Sequence, residues 1–136
     1  MVEIYGLKEN IKGVRTNKYY QGYFDRCNRR YFEGSLPAVR VLTAPLLKIT
    51  QLTQQQVEAG RQWVDAGSYG IAGYDENDDP VILLDRGTSI YHPILTKQTI
   101  LHEQIHFYIG LEHKHGKTFT DQIRRLAALG ALDKLI

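Results

Sequence analysis

The fold of this chain is decided by residues 100–108, which read Ile100-Leu101-His102-Glu103-Gln104-Ile105-His106-Phe107-Tyr108. Apolar residues recur at helical spacing around the two histidines, and this periodicity predicts a helix. Four residues turn a helix about 40° past a full circle, so both imidazoles project from one face about one turn apart. That separation suits one metal ion bound by two nitrogens, and Glu103 lies beside them where it can contact water at the metal. The spacing is typical of zinc hydrolases.

A zinc hydrolase needs a third protein ligand besides His102 and His106. The longer metzincin pattern, His-Glu-x-x-His-x-x-Gly-x-x-His, would place glycine at position 109 and histidine at position 112, where this chain has isoleucine and glutamate. The only methionine is Met1, so the methionine turn of metzincins is also excluded. The residues alone leave three candidates for the third ligand: Glu112, His113 and His115.

Composition predicts one domain. The chain has 136 residues, of which 43% are hydrophobic and 24% charged, as in ordinary globular proteins. We assign residues 1–15 to an N-terminal arm and residues 16–136 to the domain. The single cysteine, Cys27, excludes an intrachain disulfide and a cysteine-rich zinc ribbon. Any metal site must therefore use histidine and carboxylate ligands.

Hydropathy and charge limit where the protein can be located and which partners it can have. No run of 18 apolar residues occurs, which predicts no membrane-spanning helix and no membrane partner. The first ten residues lack the apolar region of a signal peptide, which predicts a cytoplasmic protein and leaves open a final place in an assembled particle. The net charge is only +2. The basic residues are interleaved with acids and favour solvated faces over nucleic-acid contacts: Arg26, Arg29, Arg30, Arg40, Lys114, Lys117, Arg124 and Arg125.

Local patterns predict the remaining elements. A first helix spans residues 17–33, is capped by Asn17, and buries Tyr20, Phe24, Cys27 and Tyr31. A strand with alternating faces follows at 39–42, then an extended piece at 46–50. Residues 53–65 predict a helical segment, with a loop or insertion that contains a helical turn as the alternative. Segments 69–74 and 80–84 predict a β-hairpin, and residues 85–93 predict a connector. The motif helix is predicted at 96–111. Thr96 or Thr99 would begin this helix, and Gly110 or Gly116 would end it. A final helix is predicted at 118–129.

Beyond the motif helix, His115-Gly116-Lys117-Thr118-Phe119 resembles the His-Gly-x-x-Phe segment of SprT-like metallopeptidases, the group that contains Spartan. The resemblance extends upstream to the helix that ends in Leu36-Pro37 and to the hairpin, and it covers residues 20–129. It implies an α+β, zincin-like fold in which a small antiparallel or mixed sheet packs on the active-site helix and flanking helices. It also implies that His115 is the third ligand and that His113 is a neighbour of the metal site. The chain lacks the extra DNA-binding parts and the zinc ribbon of some relatives, so repair of DNA–protein crosslinks is not implied.

The motif predicts a zinc hydrolase, and the resemblance implies a zinc-dependent endopeptidase that acts on a protein or peptide, with Glu103 as general base. The strand at 81–84 is expected to pair along its edge with an extended substrate. One further group must stabilise the oxyanion or orient the ligands, and its candidates are His113, Tyr69, Tyr74, Tyr91, His92 and Arg86. Two alternatives stay open. One is a non-catalytic structural subunit of a larger assembly, such as a virus particle, and the other is a protease associated with DNA.

Overall fold

The computed structural model describes residues 14–44, 70–74, 77–110 and 115–132. The predictions for most of the arm, for 46–50 and for 53–65 lie outside these ranges, as do Tyr69, Glu112 and His113. The described elements confirm the α+β class and run in this order: β1 (Arg15–Thr16), α1 (Lys18–Tyr31), β2 (Arg40–Ala44), β3 (Gly70–Tyr74), β4 (Pro80–Asp85), α2 (Arg86–Tyr91), α3 (Pro93–Ile109) and α4 (Lys117–Ala128).

The four described strands form one mixed sheet in the order β1-β2-β4-β3. Strands β2 and β4 are parallel, with Val41 beside Ile82, and β3 pairs antiparallel with β4, which confirms the hairpin. The prediction that 81–84 offers a free edge is wrong, because β4 lies between β2 and β3. The alternating faces predicted for 39–42 are also wrong. Residues 41–44 are all buried, as expected for an inner strand covered on both faces.

Helix α1 follows the sequence pattern closely. The Asn17 side chain accepts a hydrogen bond of 3.0 Å from the backbone N–H of Tyr20, which is the predicted N-cap. The predicted apolar stripe is buried. After the helix, Gly34 has a φ of 69°, a left-handed conformation that favours glycine. The Asn28 side chain then accepts from the N–H of Leu36 and fixes the turn that leads to β2.

The connector predicted at 85–93 contains a short helix instead. The Asp85 carboxylate caps α2 by accepting from the backbone N–H of Thr88 at 3.0 Å and from its hydroxyl at 2.8 Å. Six residues are too few to carry a recognisable helical period, so local pattern could not identify α2. Helix α3 begins at Pro93 rather than at 96, since proline at the first turn lacks only an N–H that would have no partner in the helix.

The two threonines predicted to begin the motif helix do not cap it. The Thr96 hydroxyl donates to the carbonyl of His92, and the Thr99 hydroxyl donates to the carbonyl of Leu95. Such a hydrogen bond to the carbonyl four residues earlier is typical of a threonine inside a helix. At the other end, Gly110 has a φ of 100° and ends α3, as predicted.

The main core lies between the sheet, α1 and α3. Its members are fully or almost fully buried, and they include Phe24 of α1, Val41 and Ile82 of the sheet, and Ile100, Leu101 and Ile105 of α3. Helix α4 closes the core through Phe119 and Leu126. The core therefore holds α3 on its apolar side and leaves its histidine side for other contacts. None of the helices in the described ranges is long and apolar enough to cross a lipid bilayer.

Helix α3 also lies close to β3, and the two run in the same direction. A Cβ added to Gly70 would come 2.5 Å from Cγ2 of Thr99, so only glycine fits there without a shift. Further along, the ring of Phe107 packs edge-to-face on that of Tyr74, with 6.0 Å between centroids. Thr99, Glu103 and Phe107 are spaced one turn apart, so this flank of α3 faces β3.

We predict that Gly70→Ala destabilises the fold by about 1–3 kcal/mol, because the methyl group overpacks the α3–β3 contact. Chemical denaturation measures the free energy of unfolding. The double variant Gly70→Ala/Thr99→Ser should recover most of the loss, since serine keeps the hydroxyl and removes the clashing methyl. The control is Gly87→Ala, whose Cβ would meet nothing closer than 3.5 Å and should leave stability unchanged or raise it by up to about 1 kcal/mol. Full stability of Gly70→Ala alone would contradict the close contact.

Candidate metal centre

Three histidines converge at the junction of α3 and α4. Helix α3 supplies His102 and His106 from one face, and His115 comes from the turn that leads into α4. The Nε2 atoms of His102 and His106 are 3.2 Å apart, those of His106 and His115 are 3.2 Å apart, and those of His115 and His102 are 3.0 Å apart. The three nitrogens thus form a nearly equilateral triangle, and the three residues form a group that could hold a metal ion.

The size of this triangle fits a tetrahedral ion. Zinc–nitrogen bonds of 2.0–2.1 Å place tetrahedral ligands about 3.3–3.4 Å apart, slightly more than the distances here. His102, His106 and His115 would hold such an ion through their Nε2 atoms, and the ion would supply a Lewis acid at this point. Because all three Nε2 atoms face one centre, each ring must carry its proton on Nδ1 to act as a ligand. The arrangement suits a catalytic site, in which water or substrate takes the fourth position.

The three imidazoles share one apolar wall. The ring of Phe119, on the first turn of α4, lies 4.8 Å from that of His102 and 4.9 Å from those of His106 and His115, measured between centroids. Phe119 is buried, and so is His106. The phenyl ring therefore limits how far each imidazole can rotate. The resemblance names Phe119 as part of the His-Gly-x-x-Phe segment, but its contact with all three rings could not be foreseen from a local pattern.

Glu103 occupies the flank of α3 next to β3. Its position is about 60–100° around the helix axis from the two histidines, between the contact of Thr99 with Gly70 and that of Phe107 with Tyr74. Only 1% of its surface is exposed. Burial of a carboxylate costs free energy unless it interacts with other polar groups. Glu103 is therefore not an ordinary charged residue on a solvent-exposed face.

The other predicted site residues fall in different places. Tyr74 is half-buried at the end of β3, beside Phe107, and is the described candidate on the same flank as Glu103. Arg86 lies at the start of α2, where its guanidinium donates to the carbonyl of Thr43 at 2.9 Å. Tyr91 and His92 precede Pro93, which is about 14 Å along the helix from His102, and Tyr91 is 77% exposed. These last two are therefore not among the residues that gather at the three histidines.

A residue that the sequence did not single out for the site fixes α4. The Arg125 guanidinium donates to the carbonyl of Tyr31 at 2.6 Å and lies 5.2 Å from the ring of Phe32 and 5.4 Å from that of Tyr108. Its Nε atom also donates to Gln122 at 2.7 Å. The charge pattern of the sequence predicts a solvated position for Arg125. Here it joins α4 to the end of α1 and so holds Phe119 against the histidines.

We predict that His115→Ala lowers metal affinity at least about 100-fold, more than the loss of a residue that only orients a ligand, whereas His113→Ala binds metal nearly as tightly as the wild type. Competition with a coloured chelator measures both affinities. The pair of variants is matched, since each removes one imidazole from the same short segment. Equal losses in the two variants, or a larger loss in His113→Ala, would contradict the assignment of the third ligand to His115.

Comparison with known proteins adds no family to this description. No family model, curated protein or solved structure matches the chain. The interpretation of the site therefore depends on the geometry of its own residues.

Proposed function

We propose that this protein is a zinc-dependent endopeptidase of the SprT-like type. The observation that carries the proposal is the triangle of three Nε2 atoms, 3.0–3.2 Å on a side, with the buried carboxylate of Glu103 on the adjacent flank of the same helix. Three nitrogen ligands with one open position are typical of catalytic zinc sites, whereas structural zinc sites are closed by four protein ligands. A site that only held a structural ion would have no need of Glu103.

The residues divide the chemistry between them. Zinc, when bound, supplies a Lewis acid for the scissile carbonyl and lowers the pKa of bound water towards about 7. Glu103 accepts the proton of the attacking water and passes it to the leaving amine. Phe119 holds the three imidazoles in place and excludes solvent behind them. Tyr74, on the Glu103 flank, is the candidate donor to the oxyanion that develops on the carbonyl.

The position of β3 favours an extended polypeptide as substrate. In the part of the chain described, β3 is the outermost strand on its side of the sheet. It contacts Thr99 and Phe107 on the flank of α3 that carries Glu103. Outer strands can accept a further strand through backbone hydrogen bonds. A substrate added beside β3 would bring successive peptide bonds along Glu103 and the histidines. This replaces the expectation that 81–84 would be the docking edge.

We predict that Glu103→Gln lowers the rate of peptide hydrolysis about 100-fold or more while zinc stays bound, because the amide cannot accept the proton. Zinc per chain is measured by elemental analysis, and cleavage is measured with an unfolded protein, with a well-folded protein as the comparison. The unfolded substrate should be cleaved much faster, since only an extended chain can pair with β3.

The matched control for this experiment is Glu33→Gln, which makes the same substitution at an exposed position after α1 and should keep full activity. Unchanged hydrolysis by Glu103→Gln would overturn the role of this residue. A wild-type chain that binds one zinc and cleaves nothing would favour the alternative of a non-catalytic subunit.

A further inference from the structure

We propose that a cavity between α1 and α3 is a binding site for a phosphate group, separate from the three histidines. The cavity has a volume of about 200 Å³. That is below the 300–1,000 Å³ of pockets for drug-sized ligands and suits one small anion or one phosphate group of a larger molecule. Its walls include the side chains of Tyr23, Arg26, Cys27, Arg30, Tyr31 and Lys97.

The cavity lining carries a concentrated positive charge. Arg26 and Arg30 extend from successive turns of α1, Lys97 extends from α3, and none of the described residues that line the cavity is a carboxylate. Among the residues that the structure describes, none forms an ion pair with these three cations. Three positive charges around one small cavity repel one another, and a bound anion removes that cost. Arginine and lysine are also the residues that bind phosphate best, through charge-assisted hydrogen bonds.

Tyrosine rings hold two of the cations at the cavity. The Lys97 Nζ atom lies 5.5 Å from the ring centre of Tyr23 and 5.4 Å from that of Tyr19, and the Arg30 Cζ atom lies 5.7 Å from that of Tyr31. These are cation–π distances. They restrict the long side chains before a ligand arrives, which lowers the entropic cost of binding. Because cations already contact the rings, the tyrosines are poorly placed to stack on nucleobases, and the lining favours a phosphate group over a single-stranded nucleic acid.

The remaining polar groups of the wall do not cancel the positive charge. Burial raises the pKa of the Cys27 thiol, and burial together with the neighbouring thiol raises the pKa of Tyr23. Both groups therefore stay protonated and uncharged at neutral pH. The charge of the lining remains that of its three cations.

The cavity lies on the side of α3 away from the metal centre. Lys97 is five residues before His102 and nine before His106, which places it about 140–180° around the helix axis from the two histidines. Tyr23 and Cys27 belong to α1, which packs on that opposite side. Phosphate binding here and metal binding at the histidines can therefore be tested independently.

The test measures binding of inorganic phosphate by isothermal titration calorimetry and by phosphorus NMR. The wild type should bind one phosphate per chain. Arg30→Gln and Lys97→Gln should each weaken binding about tenfold or more, which corresponds to the loss of one charge-assisted hydrogen bond. The matched control is Arg29→Gln. It removes the same charge from the neighbouring exposed position of α1, outside the cavity, and should change affinity less than about twofold.

Two further experiments distinguish a free phosphate ion from a phosphate monoester and test whether phosphate binds at the metal. Phenyl phosphate, a small monoester, should bind tighter than inorganic phosphate if the natural ligand carries its phosphate on a larger body, and more weakly if the ligand is the free ion. In both cases Arg30→Gln should weaken the binding. Wild-type protein freed of metal with a chelator should bind phosphate as well as the untreated protein. Absence of binding, equal losses in Arg29→Gln and Arg30→Gln, or loss on metal removal would each overturn the proposal.

Discussion

Three imidazole nitrogens within 3.0–3.2 Å of one another are the constraint around which this structure is arranged. Each ring has one lone pair that faces the common centre when its proton is on Nδ1. Three such lone pairs repel one another unless a cation lies between them. The surrounding residues bring the three rings to the spacing that a cation requires, and metal binding would therefore add to the free energy of folding.

The fold holds the rings from two sides. On α3, buried aliphatic residues fix the helix on the core, and the absence of a side chain at Gly70 lets the helix lie close to β3. On α4, Phe119 contacts all three imidazoles, while Arg125 ties the helix to the carbonyl of Tyr31. The positions of His102 and His106 thus depend on the core, and the position of His115 depends on how α4 docks. A substitution far from the site that loosens α4 would separate the third nitrogen from the other two.

The features that could be predicted from the sequence are those with a local cause. Asn17 caps α1 through its own backbone neighbours, the pair His102 and His106 shares a face because of helical spacing, and Gly110 ends α3 because of its left-handed conformation. The hairpin of β3 and β4 is likewise a contact between neighbours in sequence. The convergence of His115 was implied by resemblance, whereas spacing alone left Glu112 and His113 as equal candidates.

The features that could not be predicted depend on contacts between distant parts of the chain. The parallel pairing of β2 with β4 joins residues 41 positions apart and turns 81–84 into an inner strand, which no local pattern reveals. Helix α2, which Asp85 caps, is too short for its sequence pattern to be distinguished from that of a turn. The cavity of Arg26, Arg30 and Lys97 forms only when α1 and α3 pack together, so the sequence pattern favours solvated faces for the two arginines and does not single out Lys97.

The central claim is that His102, His106 and His115 bind one metal ion and leave one position open. X-ray absorption spectroscopy of the zinc-loaded protein tests it most directly. We expect one zinc per chain with three imidazole nitrogens at about 2.0–2.1 Å and one further oxygen, and the loss of one imidazole from the spectrum of His115→Ala. Four protein ligands around zinc, or a spectrum that His115→Ala leaves unchanged, would contradict the account.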